Sequence, residues 1–78
     1  MSKTKTEWMA ASVRYVDLEG GFWGLEATTG ELYELQHEMP EEFQKDGMKV
    51  EVKLELTQEA SFRMWGQTAL IIEIRALN

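Results

Sequence analysis

The side chains that carry out the commonest protein chemistry are scarce in this sequence. It contains one histidine, His37, and no cysteine. A serine or cysteine nucleophile needs a neighbouring base, and a structural zinc site needs several histidine or cysteine ligands. No His-x-x-x-His or Cys-x-x-Cys spacing occurs, and the polar segment that holds His37 is typical of a surface loop. We therefore expect no metal site and no cofactor.

Acidic residues are plentiful, but their positions do not indicate catalysis. The chain has 14 Asp and Glu residues, and the adjacent pair Glu41 and Glu42 lies where a short helix would begin. General acid–base catalysis needs a carboxyl group with a shifted pKa, and no pattern places one in an apolar pocket. The glycines Gly20, Gly21 and Gly24 do not match the spacing of a nucleotide-binding loop. The sequence thus predicts a protein that is not an enzyme.

Aromatic residues are the feature most suited to binding. Three Trp, two Tyr and three Phe are present in 78 residues, more than a core of this size would bury. Adjacent residues of a strand point to opposite faces, so either Phe22 or Trp23 must lie outside. The candidate ligand-binding residues are the aromatics of the central strands together with an arginine and a tryptophan of the last third: Phe22, Trp23, Tyr33, Arg63 and Trp65.

The charge of the chain restricts its partners. Eight basic and 14 acidic residues give a net charge of −6, which repels the phosphates of nucleic acids and anionic lipid headgroups. No run of about 18 apolar residues occurs, and the N-terminus has no apolar stretch behind its lysines. We expect a cytoplasmic protein.

The elements that would position these residues are mainly strands. Apolar and charged residues alternate without interruption over residues 48–56, which predicts a half-buried strand. Residues 39–47 read as one or two helical turns, with a proline at the start and a glycine at the end. Glycine-rich turns divide the first third, and Gly24 and Gly66 are candidate bends. The other predicted strands cover residues 12–18, 22–28, 32–35 and 61–77, where Gly66 is either a kink within one long strand or a break between two, and residues 57–60 form a hairpin loop.

This order predicts an all-β fold. Three short strands, a helical turn and two long strands match the five-stranded antiparallel Greek-key barrel of the OB type, with the turn between strands 3 and 4. An SH3-like barrel is the alternative, although it usually has no helix at that point. We expect a flexible N-terminal arm over residues 1–10 and a single barrel domain over residues 11–78.

Three short motifs carry a resemblance to known proteins. Residues 20–24 read Gly-Gly-Phe-Trp-Gly, residues 39–47 contain Pro-Glu-Glu-Phe-Gln-Lys-Asp-Gly, and residues 64–66 read Met-Trp-Gly. With these motifs the chain resembles a group of small, largely uncharacterised bacterial OB-fold proteins over residues 12–76. Met39 and Gln44 replace the leucine and lysine usual in that group. The resemblance implies an OB fold and implies no activity.

These observations favour a small non-catalytic binding module. An aromatic barrel face would bind a protein or peptide partner, or a second copy of the chain, and an open sheet edge would accept an added strand. The alternative is an OB-fold protein that binds single-stranded nucleic acid by stacking bases on its aromatics. The negative charge makes nucleic acid the weaker hypothesis.

Overall fold

A computed structural model describes residues 3–4, 7–18, 20–58 and 65–77 of the chain. It contains six strands and one 3-10 turn, η1. The short first strand precedes the five longer ones, and η1 lies between β4 and β5. The elements are β1 (Lys3–Thr4), β2 (Met9–Val16), β3 (Phe22–Ala27), β4 (Leu32–Leu35), η1 (Glu41–Phe43), β5 (Lys49–Leu56) and β6 (Gln67–Ala76).

Strands β2 to β6 form a closed five-stranded barrel. The order around the sheet is β5-β2-β3-β4-β6, and β6 pairs again with β5 to close it. The predicted all-β barrel with one short turn between its third and fourth strands is therefore confirmed. Closure gives most of the strands a neighbour on both sides, which protects the edges of so small a sheet.

One strand pair corrects the expectation of a wholly antiparallel barrel. Strand β4 pairs with β6 in parallel, with Tyr33 opposite Gln67 and Leu35 opposite Ala69. The chain leaves β4, crosses the end of the barrel through η1, and runs back along β5. Strand β6, antiparallel to β5, therefore runs in the same direction as β4. Parallel neighbours need a crossover connection of this kind.

The barrel interior is filled by small and branched side chains. Val13, Leu25, Val50, Val52 and Leu54 have no exposed surface. In β5 these buried residues alternate with more accessible ones, as the sequence pattern predicted. The other members of the core come from β2, β3, β4, β6 and the segment before η1: Ala11, Ala27, Tyr33, Leu35, Met39 and Ala69.

The connections follow the predicted turns with shorter bounds. The expected helical turn over 39–47 is a single 3-10 turn, since the amide of Phe43 bonds to Pro40 O (2.9 Å) and that of Gln44 to Glu41 O (3.1 Å). Strands β2 and β3 form the predicted hairpin. Gly66 lies immediately before β6 and not within it. Most of the predicted loop and strand over 59–64 lies outside the described residues.

The barrel begins slightly earlier than the predicted boundary at residue 11. Strand β2 starts at Met9, where Met9 is opposite Val52. Lys3 and Thr4 pair with Leu56 and Glu55, on the side of β5 that also pairs with β2. Part of the segment predicted as an arm thus extends the sheet along β5.

Candidate functional site

Strand β3 carries the two adjacent aromatics to opposite faces of the sheet. Trp23 shares its face with the buried Leu25 and packs against the core. Phe22 shares the outer face with Gly24 and Glu26. The two residues therefore belong to two different aromatic pairs, each on its own side of the barrel wall.

The first pair, called here the inner pair, is Tyr15 and Trp23. The two residues are directly opposite each other in the β2–β3 hairpin. Their rings meet edge to face, with centroids 5.0 Å apart and an interplanar angle of 64°. Tyr15 is 46% exposed, and its hydroxyl packs against Gly21, where a Cβ atom at residue 21 would be. Gly21 also has a φ of 91°, which favours glycine.

A cleft of about 470 Å³ opens beside the inner pair at one end of the barrel. One side is the β2–β3 turn with its aromatics, and the other is the segment between β4 and η1. We call it the aromatic cleft. Its lining residues are Tyr15, Gly21, Phe22, Trp23, Leu35, Gln36, His37, Glu38 and Met39.

His37 holds the polar wall of the aromatic cleft in place. The amide of Ile71 in β6 donates a hydrogen bond to His37 Nε2 (2.9 Å), and Nδ1 lies 2.9 Å from Glu38 O. Because Nε2 accepts the Ile71 proton, Nδ1 is the ring nitrogen that can donate to Glu38 O. His37 therefore extends the β4–β6 pairing beyond the end of β4, where the amide of Gln36 bonds to Ala69 O (3.0 Å). It is exposed, as predicted for a loop residue, but it has a structural contact.

The second pair, called the outer pair, is Phe22 and Trp65. Their rings also meet edge to face, with centroids 5.7 Å apart and an interplanar angle of 81°. The Trp65 ring lies directly over Gly24: a Cβ atom there would be 2.5 Å from Trp65 Cζ3 and 3.0 Å from Tyr33 O. Both aromatics of the outer pair are half-buried. The glycine predicted as a bend therefore makes room for a tryptophan.

Acidic side chains accompany the outer pair. Glu26 lies on the same face of β3 and forms an ion pair with Arg14. Glu34, opposite Gly24 in β4, is only 5% exposed. Arg14, opposite Gly24 in β2, offsets the charge of Glu26, so the exposed part of this face has charges of both signs.

The remaining predicted site residues lie elsewhere. Tyr33 is 2% exposed and belongs to the core. Its hydroxyl donates a hydrogen bond to Glu31 Oε1 (3.0 Å). Burial, and then the hydrogen bond and charge of Glu31, raise the pKa of Tyr33 to about 12. Arg63 lies outside the described residues. The structure thus brings together Phe22 with Trp65, and places Phe22 and Trp23 in the lining of the aromatic cleft.

Sequence reasoning missed the other half of the cleft. Tyr15 is opposite Trp23, a register that follows once the glycines at 20 and 21 are taken as the turn. His37 was interpreted only as a surface residue, although it meets Ile71 across a distance of 34 positions in the chain. Contacts of that kind have no signal in the local pattern.

Comparison with known proteins identifies no relative. No protein-family model, curated protein or solved structure matches this chain.

Within the described ranges, no three His, Cys, Asp or Glu side chains are grouped so that they could hold a metal ion. The described residues also include no helix long and apolar enough to cross a membrane. The aromatic cleft is the candidate site, because it combines an open cavity with an exposed aromatic pair.

Proposed function

We propose that this protein is a small, non-catalytic binding module of the cytoplasm whose aromatic cleft binds a peptide segment of a partner protein. The observation that carries the proposal is the inner pair itself. Tyr15 and Trp23 expose aromatic surface beside an open cleft, and aromatic anchors of this kind are enriched at protein interfaces.

The composition of the cleft favours a basic side chain in the partner. Among the described residues, its lining has one charged side chain, Glu38, and neither lysine nor arginine. A cation placed against a tyrosine or tryptophan ring is stabilised by the ring quadrupole. The net charge of −6 adds long-range attraction for a basic segment.

The closed barrel is consistent with an OB-type fold. Its strand order, with the single turn between β4 and β5, and the motif resemblance both support that assignment. In OB folds the second and third strands and the adjacent loops commonly contact ligands. Here the corresponding strands are β3 and β4, whose outer face holds the outer pair beside Glu26 and Glu34. The net charge of −6 makes single-stranded nucleic acid the less favoured ligand.

A display selection tests the proposal. Random peptides are selected on the immobilised wild-type protein, and the enriched peptides are then titrated against it and against two variants. We expect the enriched peptides to contain a lysine or arginine and to bind Tyr15→Ala at least about tenfold more weakly, the loss expected when an interface anchor is truncated.

The matched control is Leu18→Ala. Leu18 is also 46% exposed but does not line the cleft, so peptide affinity should be unchanged. Fluorescence anisotropy with oligo-dT and oligo-U forms the second arm. Submicromolar binding of either oligonucleotide at physiological salt, with no basic peptide enriched, would reject the peptide-binding proposal in favour of nucleic acid.

A further inference from the structure

Strand β6 has an open edge beyond its short pairing with β4. The pairing ends at Ala69, whereas the strand continues to Ala76. The next amide on this side, that of Ile71, donates to His37 Nε2. A β-bulge then follows, because Leu54 is opposite Ile71 and Lys53 is opposite Glu73, so Ile72 is an extra residue that shifts the alternation of β6 by one position. In the described part of the chain no strand pairs with the edge after that point. Ile72 is 48% exposed there.

The direction of the main-chain groups along this edge follows from the other side of β6. The amide of Leu77 donates to Lys49 O (2.9 Å), so residue 77 faces β5. In an antiparallel ladder alternate residues face the same neighbour, so Arg75 and Glu73 also face β5. The amide and carbonyl groups of Ile74 and Ala76 therefore point away from β5, toward the open edge.

From this arrangement we infer that the open edge of β6 pairs antiparallel with the same edge of a second copy of the chain, centred on Ile74. In this register the two Ile74 residues exchange a pair of hydrogen bonds, and Ala76 of each copy is opposite Ile72 of the other. The two barrels then share a continuous sheet across a two-fold axis.

Charge complementarity selects this register. Centring on Ile74 places Glu73 of one copy opposite Arg75 of the other, twice, in the closer, non-hydrogen-bonded type of pair. The register centred on Ala76, whose main-chain groups also face the open edge, would instead place Arg75 opposite Leu77 and form no pair of opposite charges across the axis. The side chains of Glu73 and Arg75 thus distinguish one alignment from its neighbours.

The side chains of β5 continue the alternation on each side of the axis. Within one chain Arg75 Nη2 lies 2.8 Å from Glu51 Oε1, and Lys53 Nζ lies 3.2 Å from Glu73 Oε2. In the shared sheet the charged side chains therefore form rows that run across the strands and alternate in sign. Each row contains Glu51 and Arg75 of one copy, followed by Glu73 and Lys53 of the other. The Trp8 ring lies 3.8 Å from the Arg75 guanidinium and helps to hold it in this row.

Charge reversal provides the test. In Glu73→Arg both positions are positive, and in Arg75→Glu both are negative, so each variant repels its own copy. When the two variants are mixed, every facing pair is again opposite in sign. We expect sedimentation velocity to show a wild-type dimer at about 100 µM. Each variant alone should dimerise at least about tenfold more weakly, and the equimolar mixture should form a heterodimer.

A backbone variant separates edge pairing from side-chain effects. Ala76 is exposed and its amide faces the open edge, so Ala76→Pro removes an intermolecular donor while the β5–β6 ladder keeps its hydrogen bonds. We expect a folded monomer by circular dichroism and sedimentation. A wild-type chain that stays monomeric at about 100 µM, a dimer that persists in Ala76→Pro, or a mixture of folded charge variants that stays monomeric would each overturn the inference.

Discussion

The inner and outer aromatic pairs arise from neighbouring residues of one strand but have opposite surroundings. Trp23 meets Tyr15 beside an open cleft, and Tyr15 remains 46% exposed. Phe22 meets Trp65, whose ring covers the outer face of β3. The same edge-to-face geometry thus occurs at a solvent-exposed surface in the inner pair and in packing against the outer face of β3 in the outer pair, although Phe22 also lines the cleft.

The glycine beneath each pair shows the difference. At Gly21 an added Cβ would meet the hydroxyl end of Tyr15, an exposed side chain that can rotate away. At Gly24 it would meet the Trp65 ring and the carbonyl oxygen of Tyr33 from the adjacent strand. The main chain of β4 cannot move aside as an exposed side chain can. We conclude that the outer pair is a structural feature and that the inner pair is the adaptable one.

The largest effect is expected at Gly24. Gly24→Ala forces the methyl group against Trp65 and the β4 backbone, and overpacking of this kind costs about 1–3 kcal/mol. Urea unfolding followed by circular dichroism should show this loss in the free energy of unfolding. The double variant Gly24→Ala, Trp65→Leu should lose less than the sum of its single variants, because they share one contact. Additive losses would mean that Trp65 does not lie over residue 24 in solution.

A smaller effect is expected at the polar wall of the aromatic cleft. His37→Phe keeps a ring but removes the acceptor of the Ile71 amide, and a single hydrogen bond contributes about 0.5–1.5 kcal/mol. Amide hydrogen exchange should accelerate at Ile71, while Val52 in the closed part of the barrel keeps its protection. Gln36→Ala changes an exposed neighbouring side chain and serves as the control. Unchanged exchange at Ile71 in His37→Phe would contradict the contact.

The barrel could be predicted from local patterns because its strands are half-buried. Residues 48–56 alternate strictly, and the structure has β5 at Lys49–Leu56. The parallel pairing of β4 with β6 could not be predicted in this way. It depends on the path of the chain across the barrel end, and residues that pair in parallel or antiparallel show the same alternation.

The candidate site was only half predictable, for a related reason. Alternation required Phe22 and Trp23 to lie on different faces, and they do. It could not assign Tyr33, since Leu32, Tyr33 and Leu35 present apolar side chains to both faces of β4. Tyr33 belongs to the core, whereas Tyr15, which sequence reasoning left out of the candidates, lines the cleft. Long-range contacts decide which of two tyrosines is accessible.

The contrast between the two tyrosines also yields the prediction with the smallest effect at neutral pH. The pKa of Tyr33 is about 12 in the folded protein, with burial as the main cause, and about 10 in an unfolded chain. Between these values the folded state holds a proton that the unfolded state has lost. The stabilisation is therefore complete below pH 10 and declines as the pH rises toward 12.

Phenolate absorbance measures this directly. The sequence has two tyrosines, so Tyr15→Phe leaves Tyr33 as the only phenol. We expect its ionisation near pH 12, accompanied by loss of the circular dichroism of the barrel. Adding Glu31→Gln removes the carboxylate that accepts the Tyr33 hydrogen bond and should lower the midpoint, while burial keeps it above 10. A midpoint at pH 10 in a folded Tyr15→Phe protein would show that Tyr33 is accessible, and the distinction between core and cleft tyrosines would be wrong.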